Sequence, residues 1–164
     1  MNYKIKSLIS LLARKLQEKK YSLVTAESCT GGGLAYFITS CPICSAFLER
    51  GFVTYSNEAK SELLEVQLSL IKSCGAVSVE VSEAMACGAL KNSRGNIAIA
   101  ITGLTGSTSD DTSSCPIGTV YITCMTEKKS SSYCEHFQGN RERINSNVII
   151  TALNRLIIFL ETLE

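Results

Sequence analysis

Segments with apolar residues at helical spacing alternate along this chain with short β-rich segments. This alternation limits the fold more than any other feature of the sequence. The first segment carries apolar residues at every third or fourth position, as one face of a helix does: Ile5, Leu8, Ile9, Leu12 and Leu16. The full predicted order is helix, strand, helix, strand, helix, helix, strand, strand, strand, helix. Because helices and strands alternate, we predict an α/β fold, a three-layer α/β/α sandwich with a mixed central sheet.

The predicted strands are short β-rich runs bounded by turn residues: Tyr21–Ala26, Gly51–Tyr55, Asn96–Ile101, Ile117–Met125 and Ser131–Phe137. The third strand leads into Gly103–Cys115, a predicted polar loop dense in Ser, Thr, Gly and Asp. The last two strands are joined by a turn around Glu127–Ser130. The carboxyl ends of the earlier strands therefore all lead into polar turns.

The later helices are placed by their capping residues. One starts within the triple glycine and ends near Thr39. Asn57 is a suitable N-cap for a helix over Glu58–Val66, and Ser78 is the candidate cap of another. A long helix with a continuous apolar face begins at Arg141.

Composition fits one domain over residues 1–164, because 45% hydrophobic residues in 164 are enough for one core. Sixteen basic and 15 acidic residues leave a net charge of +1, which gives no general attraction to nucleic acid or to an anionic membrane. The apolar run Leu8–Ala13 is too short for the core of a signal sequence, and Leu156–Leu160 is too short to span a membrane. We expect a cytoplasmic protein without nucleic-acid or membrane partners; assembly into a homo-oligomer stays open.

Eight cysteines are many for a chain of this length. Without a signal sequence, we interpret them as reduced, mostly buried small apolar residues rather than as a disulfide framework. Cys41 and Cys44 have the CxxC spacing, but the chain has no second CxxC pair and His136 is its only histidine. We therefore expect no metal, no cofactor and no redox centre.

The turn Glu27–Gly33 is the first candidate for chemistry, since ligands of α/β sheets collect at the carboxyl ends of strands. Three consecutive glycines let backbone N–H groups approach an anion or an oxyanion closely. Ser28 and Thr30 place hydroxyl groups in the same turn, and helix capping is the alternative role for both.

Three further side chains have two interpretations each. Lys60 shares a helix face with apolar residues: it either extends to water or lies at a dry site beside Ser28, where burial would make it a usable base. Arg141 and Arg143 open the last helix against its dipole, as an anion-binding pair or as solvated cations. His136, a lone histidine on a strand, is more often structural than catalytic.

At these residues the chain resembles the CinA C-terminal domain family. Six segments carry the resemblance, the first two of them long and specific: Thr25–Gly32 (TAESCTGG), Glu49–Lys60 (ERGFVTYSNEAK), Gly75–Ser78, Gly88–Leu90, Pro116–Val120 and Phe137–Arg141. The resemblance implies a three-layer α/β/α fold and metal-free hydrolysis of nicotinamide mononucleotide to nicotinate mononucleotide and ammonia.

The resemblance also implies which residues act. Ser28 is the expected nucleophile and Lys60 its base, with Tyr55 nearby. The residues expected to bind the nucleotide lie in the matching segments and in the loop after the third strand: Glu27, Thr30, Gly31, Gly32, Asn57, Gly103, Thr105, Gly106 and Arg141. Backbone N–H groups of the glycine turn are expected to stabilise the oxyanion, and Arg141 to hold the phosphate.

Three positions depart from the usual family pattern. The loop reads Gly103-Leu-Thr-Gly106-Ser107 where Gly-Ile-Ala-Gly-Pro is typical, Cys115 stands where lysine is common, and Asn140 replaces the aspartate of Gly-Asp-Arg. Two alternatives therefore stay open: a nucleotide-binding module without turnover, and an amidase with a different substrate.

Overall fold

The computed structural model describes residues 3–106 and 115–164, and this part of the chain contains five strands and seven helices. The strands are β1 (Leu23–Glu27), β2 (Leu48–Val53), β3 (Ile97–Gly103), β4 (Thr119–Met125) and β5 (Ser130–His136). The helices are α1 (Tyr3–Lys19), α2 (Gly33–Thr39), α3 (Pro42–Ser45), α4 (Asn57–Leu64), α5 (Leu68–Cys74), α6 (Val79–Lys91) and α7 (Arg141–Glu161).

The strands form one sheet in the order β2-β1-β3-β4-β5. Strand β1 pairs in parallel with both β2 and β3, whereas β4 and β5 continue the sheet as antiparallel strands. One apolar layer joins α1, α2, α3 and α7 to one face of the sheet, and a second joins α4, α5 and α6 to the other. The predicted three-layer α/β/α sandwich with a mixed sheet is confirmed.

Side-chain alternation along the parallel strands divides the core between these two layers. On β1, Leu23 packs toward α1 and α7 while Val24 packs toward α6. On β3, the isoleucines face α7, and the small side chains of Ala98 and Ala100 face α6. The same alternation continues past the end of β1 and separates Glu27, the last residue of the strand, from Ser28, the first residue after it.

Helices α4 and α6 touch at Gly88. A Cβ atom at this position would lie 1.8 Å from the carbonyl oxygen of Leu64, so only glycine allows this approach. Leu64 is the last residue of α4, and Lys60 lies one turn earlier on the same buried face. The contact with α6 therefore sets how deeply α4 carries Lys60 into the protein.

The structure differs from the predicted elements in several places. Helices α3 and α5 were not predicted, because segments of four and seven residues with one buried side chain each show no helical period. Strand β2 begins at Leu48 and ends at Val53, two residues before its predicted end. Ser56 rather than Asn57 caps α4, since its hydroxyl accepts the Ala59 N–H.

Helix α7 is the one described helix that is long and apolar enough to cross a membrane. Half of its most apolar stretch is buried, and nine of its residues pack into the core against α1 and the sheet. Core helices of globular proteins pass the same test of length and composition, so this feature gives only weak evidence of a membrane span.

All eight cysteines are free thiols. The expectation that most are buried is wrong: Cys29, Cys44 and Cys124 are buried, while the other five are half-buried or exposed. Cys44, within the CxxC pair, lies in the core, where burial raises the pKa of its thiol to about 12. A redox-active cysteine has a lowered thiol pKa, whereas the pKa of the Cys44 thiol is raised.

Because no disulfide cross-links the fold, we expect thermal unfolding to be independent of reductant. The midpoint measured by circular dichroism should agree within about 1 °C with and without a reductant, since no cross-link constrains the unfolded chain. A large drop in the midpoint on reduction would show that disulfides form in the purified protein and would contradict this expectation.

Candidate active site

A cleft of about 430 Å³ lies at the carboxyl edge of the parallel strands. It is bordered by the ends of β1 and β3 and by the first residues of α4 and α7. Eight of the residues predicted for the site line it: Ser28, Tyr55, Asn57, Lys60, Gly103, Thr105, Gly106 and Arg141. The structure therefore brings together residues that are more than 100 positions apart in the sequence.

Ser28 occupies the turn that leaves β1. Its backbone N–H donates to the Ile101 carbonyl oxygen (2.9 Å), which extends the pairing of β1 with β3 by one residue. The turn closes when the Gly31 N–H donates to the Ser28 carbonyl, and Gly31 and Gly32 then take positive φ angles of 58° and 88°. These are left-handed conformations that favour glycine. The turn is thus fixed at both ends, with the Ser28 hydroxyl in the cleft.

Lys60 reaches Ser28 from α4. Lys60 is 1% exposed, and its side-chain nitrogen Nζ lies 3.0 Å from Ser28 Oγ. The same nitrogen donates to the carbonyl oxygens of Thr54 (3.0 Å) and Tyr55 (3.1 Å). Of the two interpretations of the sequence, the buried lysine beside Ser28 is the one that the structure adopts.

The Lys60 nitrogen is poised to exchange a proton near neutral pH. Burial lowers the pKa of its amine from 10.5 to about 8, because the charged form loses its water. Glu58 and Cys29 oppose this shift weakly. None of the salt bridges among the described residues includes Lys60, so its charged form has no directly paired carboxylate there.

Several N–H groups of the turn after β1, where donors to an oxyanion were expected, already donate within the protein. The N–H groups of Gly31 and Gly33 donate to carbonyl oxygens within the turn, and that of Ser28 is used by the sheet. The N–H groups of Cys29 and Thr30 favour the charged form of the Cys29 thiol, but burial outweighs them. The N–H groups of this turn that neither the sheet nor the turn itself uses are the candidate donors to an oxyanion on Ser28.

Glu27 and Thr30, expected to contact the substrate, do not line the cleft. Strand alternation sends the Glu27 side chain to the face opposite Ser28, where it is fully buried beside α2. Its carboxylate accepts from the Leu34 and Ala35 N–H groups and from the Thr30 hydroxyl. Both side chains therefore use their polar atoms within the protein.

The other expected residues divide in the same way. Gly31 and Gly32 shape the turn but do not border the cleft. The Tyr55 side chain is exposed at the mouth of the cleft, and its contact with Lys60 is made by its carbonyl oxygen. Arg143 and His136 lie outside the cleft, each exposed to solvent.

Arg141 is the second basic residue that lines the cleft. Its guanidinium lies against Gly106, where a Cβ atom would come within 2.9 Å of Nη2. The absence of a side chain at Gly106 therefore lets Arg141 lie over the loop that follows β3. The Gly103–Cys115 loop continues into residues 107–114, which lie outside the described part of the chain.

The cleft has a positive electrostatic character. Among the described residues that line it, Lys60 and Arg141 are basic and none is acidic. The amino-terminal ends of α4 and α7 also border it, through Asn57 and Arg141, as does the Ala76–Val77 segment that leads to α6. The amino-terminal end of a helix carries partial positive charge, so this arrangement favours an anionic ligand.

Sequence reasoning missed several lining residues. Cys29 borders the cleft beside Ser28, and burial raises the pKa of its thiol to about 12. Thr102, at the end of β3, donates its hydroxyl proton to the Ala76 carbonyl and so ties the strand to the segment before α6. The place of Cys29 next to Ser28 was a signal for it, and Ala76 lies in the Gly75–Ser78 segment that carries the family resemblance.

The described residues contain no group of three or more His, Cys, Asp or Glu side chains that could hold a metal ion. What the cleft offers is a hydroxyl group, an amine and backbone N–H donors. Fold and site together define a class: α/β proteins with a Ser–Lys pair at the carboxyl edge of a mixed sheet.

Comparison with known proteins gives the family. The chain belongs to the CinA C-terminal domain family, which matches residues 5–160. It is 42% identical over 151 residues to a CinA-like protein of Citrifermentans bemidjiense, and 42% identical over 150 residues to a putative competence-damage inducible protein of Caldicellulosiruptor saccharolyticus. Each match covers 92% of this chain and 36% of the relative, so the chain spans about a third of the length of these relatives.

Solved structures show the same fold over the whole chain. A competence-damaged protein (CinA) superfamily protein from Klebsiella pneumoniae superposes with a TM-score of 0.92 at 31% identity, covering 99% of this chain and 100% of that one. A competence/damage inducible protein from Agrobacterium tumefaciens gives a TM-score of 0.90 at 32% identity, covering 99% and 98%.

Proposed function

We propose that the protein is an amide hydrolase that converts nicotinamide mononucleotide to nicotinate mononucleotide and ammonia. The observation that carries the proposal is the 3.0 Å contact between Ser28 Oγ and the buried Nζ of Lys60. A serine hydroxyl is a weak nucleophile until a neighbouring base takes its proton, and an amine with a lowered pKa is such a base. The choice of this amide follows the family resemblance.

The first half of the reaction forms an acyl-enzyme. Neutral Lys60 accepts the Ser28 proton while Oγ attacks the carboxamide carbon. The oxyanion of the tetrahedral intermediate accepts hydrogen bonds from backbone N–H groups of the turn that follows Ser28. Protonated Lys60 then gives its proton to the departing nitrogen, ammonia leaves, and the acyl group remains on Ser28 as an ester.

The second half returns the enzyme to its starting state. Lys60, neutral again, accepts a proton from water as the water attacks the ester, and the Ser28 oxygen takes the proton back when nicotinate mononucleotide leaves. The carbonyl oxygens of Thr54 and Tyr55 keep Nζ at the reacting atoms throughout. The pyridinium charge of the bound substrate helps to keep Lys60 neutral before the attack.

The positive cleft supports the choice of a phosphorylated substrate. The described lining holds the cationic Arg141 and two helix amino termini and has no carboxylate, which matches a ligand with a phosphate group. Arg141 lies over the Gly106 loop, whereas Ser28 is in contact with Lys60 of α4. We therefore assign Arg141 to the phosphate and the Ser28–Lys60 end to the carboxamide.

We expect Arg141→Ala to weaken binding of the nucleotide much more than binding of the nucleoside. Only the nucleotide has a phosphate to lose, and a charge-assisted hydrogen bond contributes about 1.5–3 kcal/mol. Calorimetric titration with nicotinamide mononucleotide and nicotinamide riboside measures both. Arg143→Ala is the matched control, since Arg143 is exposed outside the cleft. Equal losses for the two ligands would exclude the assignment of Arg141 to the phosphate.

The function itself is tested by measuring ammonia release from nicotinamide mononucleotide. Turnover that yields equal amounts of ammonia and nicotinate mononucleotide is expected. Tight binding without ammonia would identify a binding module instead. Ammonia from other amides of a substrate panel, but not from this one, would keep the hydrolase chemistry and change the substrate.

A further inference from the structure

Glu27 is a buried carboxylate that the proposed mechanism does not use. We propose that Glu27 is a positioning residue: it holds Ser28 in place by clamping the nucleophile turn to α2, and it does not touch the substrate. The inference rests on the proposed role of Ser28 as nucleophile. It changes the role expected for Glu27 from the sequence, where it was predicted to bind the nucleotide.

The clamp consists of three hydrogen bonds to one carboxylate. Oε2 accepts from the Thr30 hydroxyl (2.6 Å) and from the Leu34 N–H (2.9 Å), and Oε1 accepts from the Ala35 N–H (2.9 Å). Thr30 lies inside the turn, while Leu34 and Ala35 lie in the first turn of α2. The carboxylate therefore joins the two ends of the segment that carries Ser28.

This carboxylate takes the place of a normal helix cap. The N-cap residue of α2 is Gly32, which has no side chain to accept the first N–H groups of the helix. Glu27, fully buried, supplies that acceptor from the end of β1 instead. Without it, buried N–H groups at the start of α2 lose their partner, and the glycines allow the turn to rearrange.

The main chain of Glu27 reaches the base as well as the nucleophile. Its carbonyl oxygen accepts the Thr54 N–H (2.8 Å), and the Thr54 carbonyl oxygen accepts from Lys60 Nζ (3.0 Å). A shift of Glu27 would therefore displace Ser28 and the carbonyl that orients Lys60 at the same time. Small errors of position are costly for catalysis, since a displacement of about 1 Å can reduce a rate by about 10²-fold.

Two substitutions distinguish loss of the hydrogen bonds to Glu27 from loss of its negative charge. Glu27→Gln keeps the size of the side chain, but its amide has one acceptor oxygen and adds an N–H₂ donor, so it cannot accept from both Leu34 and Ala35. Thr30→Val keeps the shape of Thr30 and removes one donor only. Leu12→Ala, in the core on α1, serves as the control for a loss of stability that does not involve the turn.

The closing experiment measures the reactivity of Ser28 separately from ligand binding. A small neutral fluorophosphonate labels nucleophilic serines regardless of the natural substrate, and mass spectrometry gives the labelling rate at Ser28. Calorimetry with nicotinate mononucleotide gives the affinity. We expect Glu27→Gln to label about 10- to 100-fold more slowly than the wild type, with its affinity changed less than about 2-fold. Thr30→Val should show a smaller decrease, and Leu12→Ala should label at the wild-type rate.

The possible results separate this inference from the proposed function. If the wild type is labelled and Glu27→Gln is labelled equally fast, or loses affinity by the same factor as reactivity, Glu27 is not a positioning residue. If the wild type itself is not labelled at Ser28, the serine mechanism is wrong, and the inference is wrong with it. If Glu27→Gln fails to fold, the labelling rate and affinity of Thr30→Val are compared with those of the wild type in the same way.

Discussion

Replacing Ser28 with alanine is expected to reduce ammonia release from nicotinamide mononucleotide to the uncatalysed background. The hydroxyl is the atom that forms the acyl-enzyme, and loss of a catalytic nucleophile lowers turnover by at least about 10³-fold. The fold should survive, because the bond from the Ser28 N–H to Ile101 involves only the main chain. Losing the hydrogen bond to Lys60 should cost about 1 kcal/mol of stability.

The control for Ser28→Ala is Ser10→Ala. The Ser10 hydroxyl is exposed on α1 and donates to the Lys6 carbonyl there, so its removal should leave turnover unchanged. Wild-type enzyme quenched with hydroxylamine during turnover should also yield the hydroxamate of the nicotinate nucleotide, the product expected when an ester intermediate is trapped. Full activity in Ser28→Ala would falsify covalent catalysis by this residue.

The second large effect is expected for the base. Lys60→Met keeps the apolar stem and removes the amine, so it should be nearly inactive, whereas His136→Gln should keep most of its activity. His136 lies on β5, exposed and outside the cleft, while Lys60 Nζ lies 3.0 Å from the nucleophile. The opposite pattern of rates would make this a Ser–His enzyme.

The titration of Lys60 gives this prediction a pH dependence. Because the neutral amine is the base, kcat/KM should rise with pH and level off above the pKa of about 8. Stability follows the same group. The folded protein holds Lys60 at a lower pKa than the unfolded chain, so folding favours the neutral form. The wild type should therefore lose stability relative to Lys60→Met as the pH falls from about 10.5 through 8.

The main elements of the fold could be predicted because they extend over several periods. The apolar faces of α1 and α7 repeat over four or more turns, and β3 is a nearly continuous apolar strand. Short α3 and α5 could not be predicted, since their formation depends on packing. Adjacent Ser56 and Asn57 are both good caps, and only the position of the backbone decides between them.

The site shows a similar division. The spacing of apolar residues was enough to place Lys60 on the inward side of a helix. Its contact with Ser28 joins residues 32 positions apart, and that pairing was predicted from the family resemblance. Glu27 and Ser28 are neighbours at the end of one strand, so both were expected in the cleft. The alternation of side chains along β1 sends them to opposite faces of the sheet, and this argument was available from the sequence.

Gly88 has a consequence for how substitutions in this protein should be interpreted. It has no atom in the cleft, yet a methyl group there must move the end of α4, and with it the lysine one turn earlier. A saturation-mutagenesis screen scored by turnover would therefore rank Gly88 among the intolerant positions, beside Ser28 and Lys60. Distance from the substrate is then a poor guide to mutational sensitivity here; contact between the helix that carries the base and its neighbour is a better one.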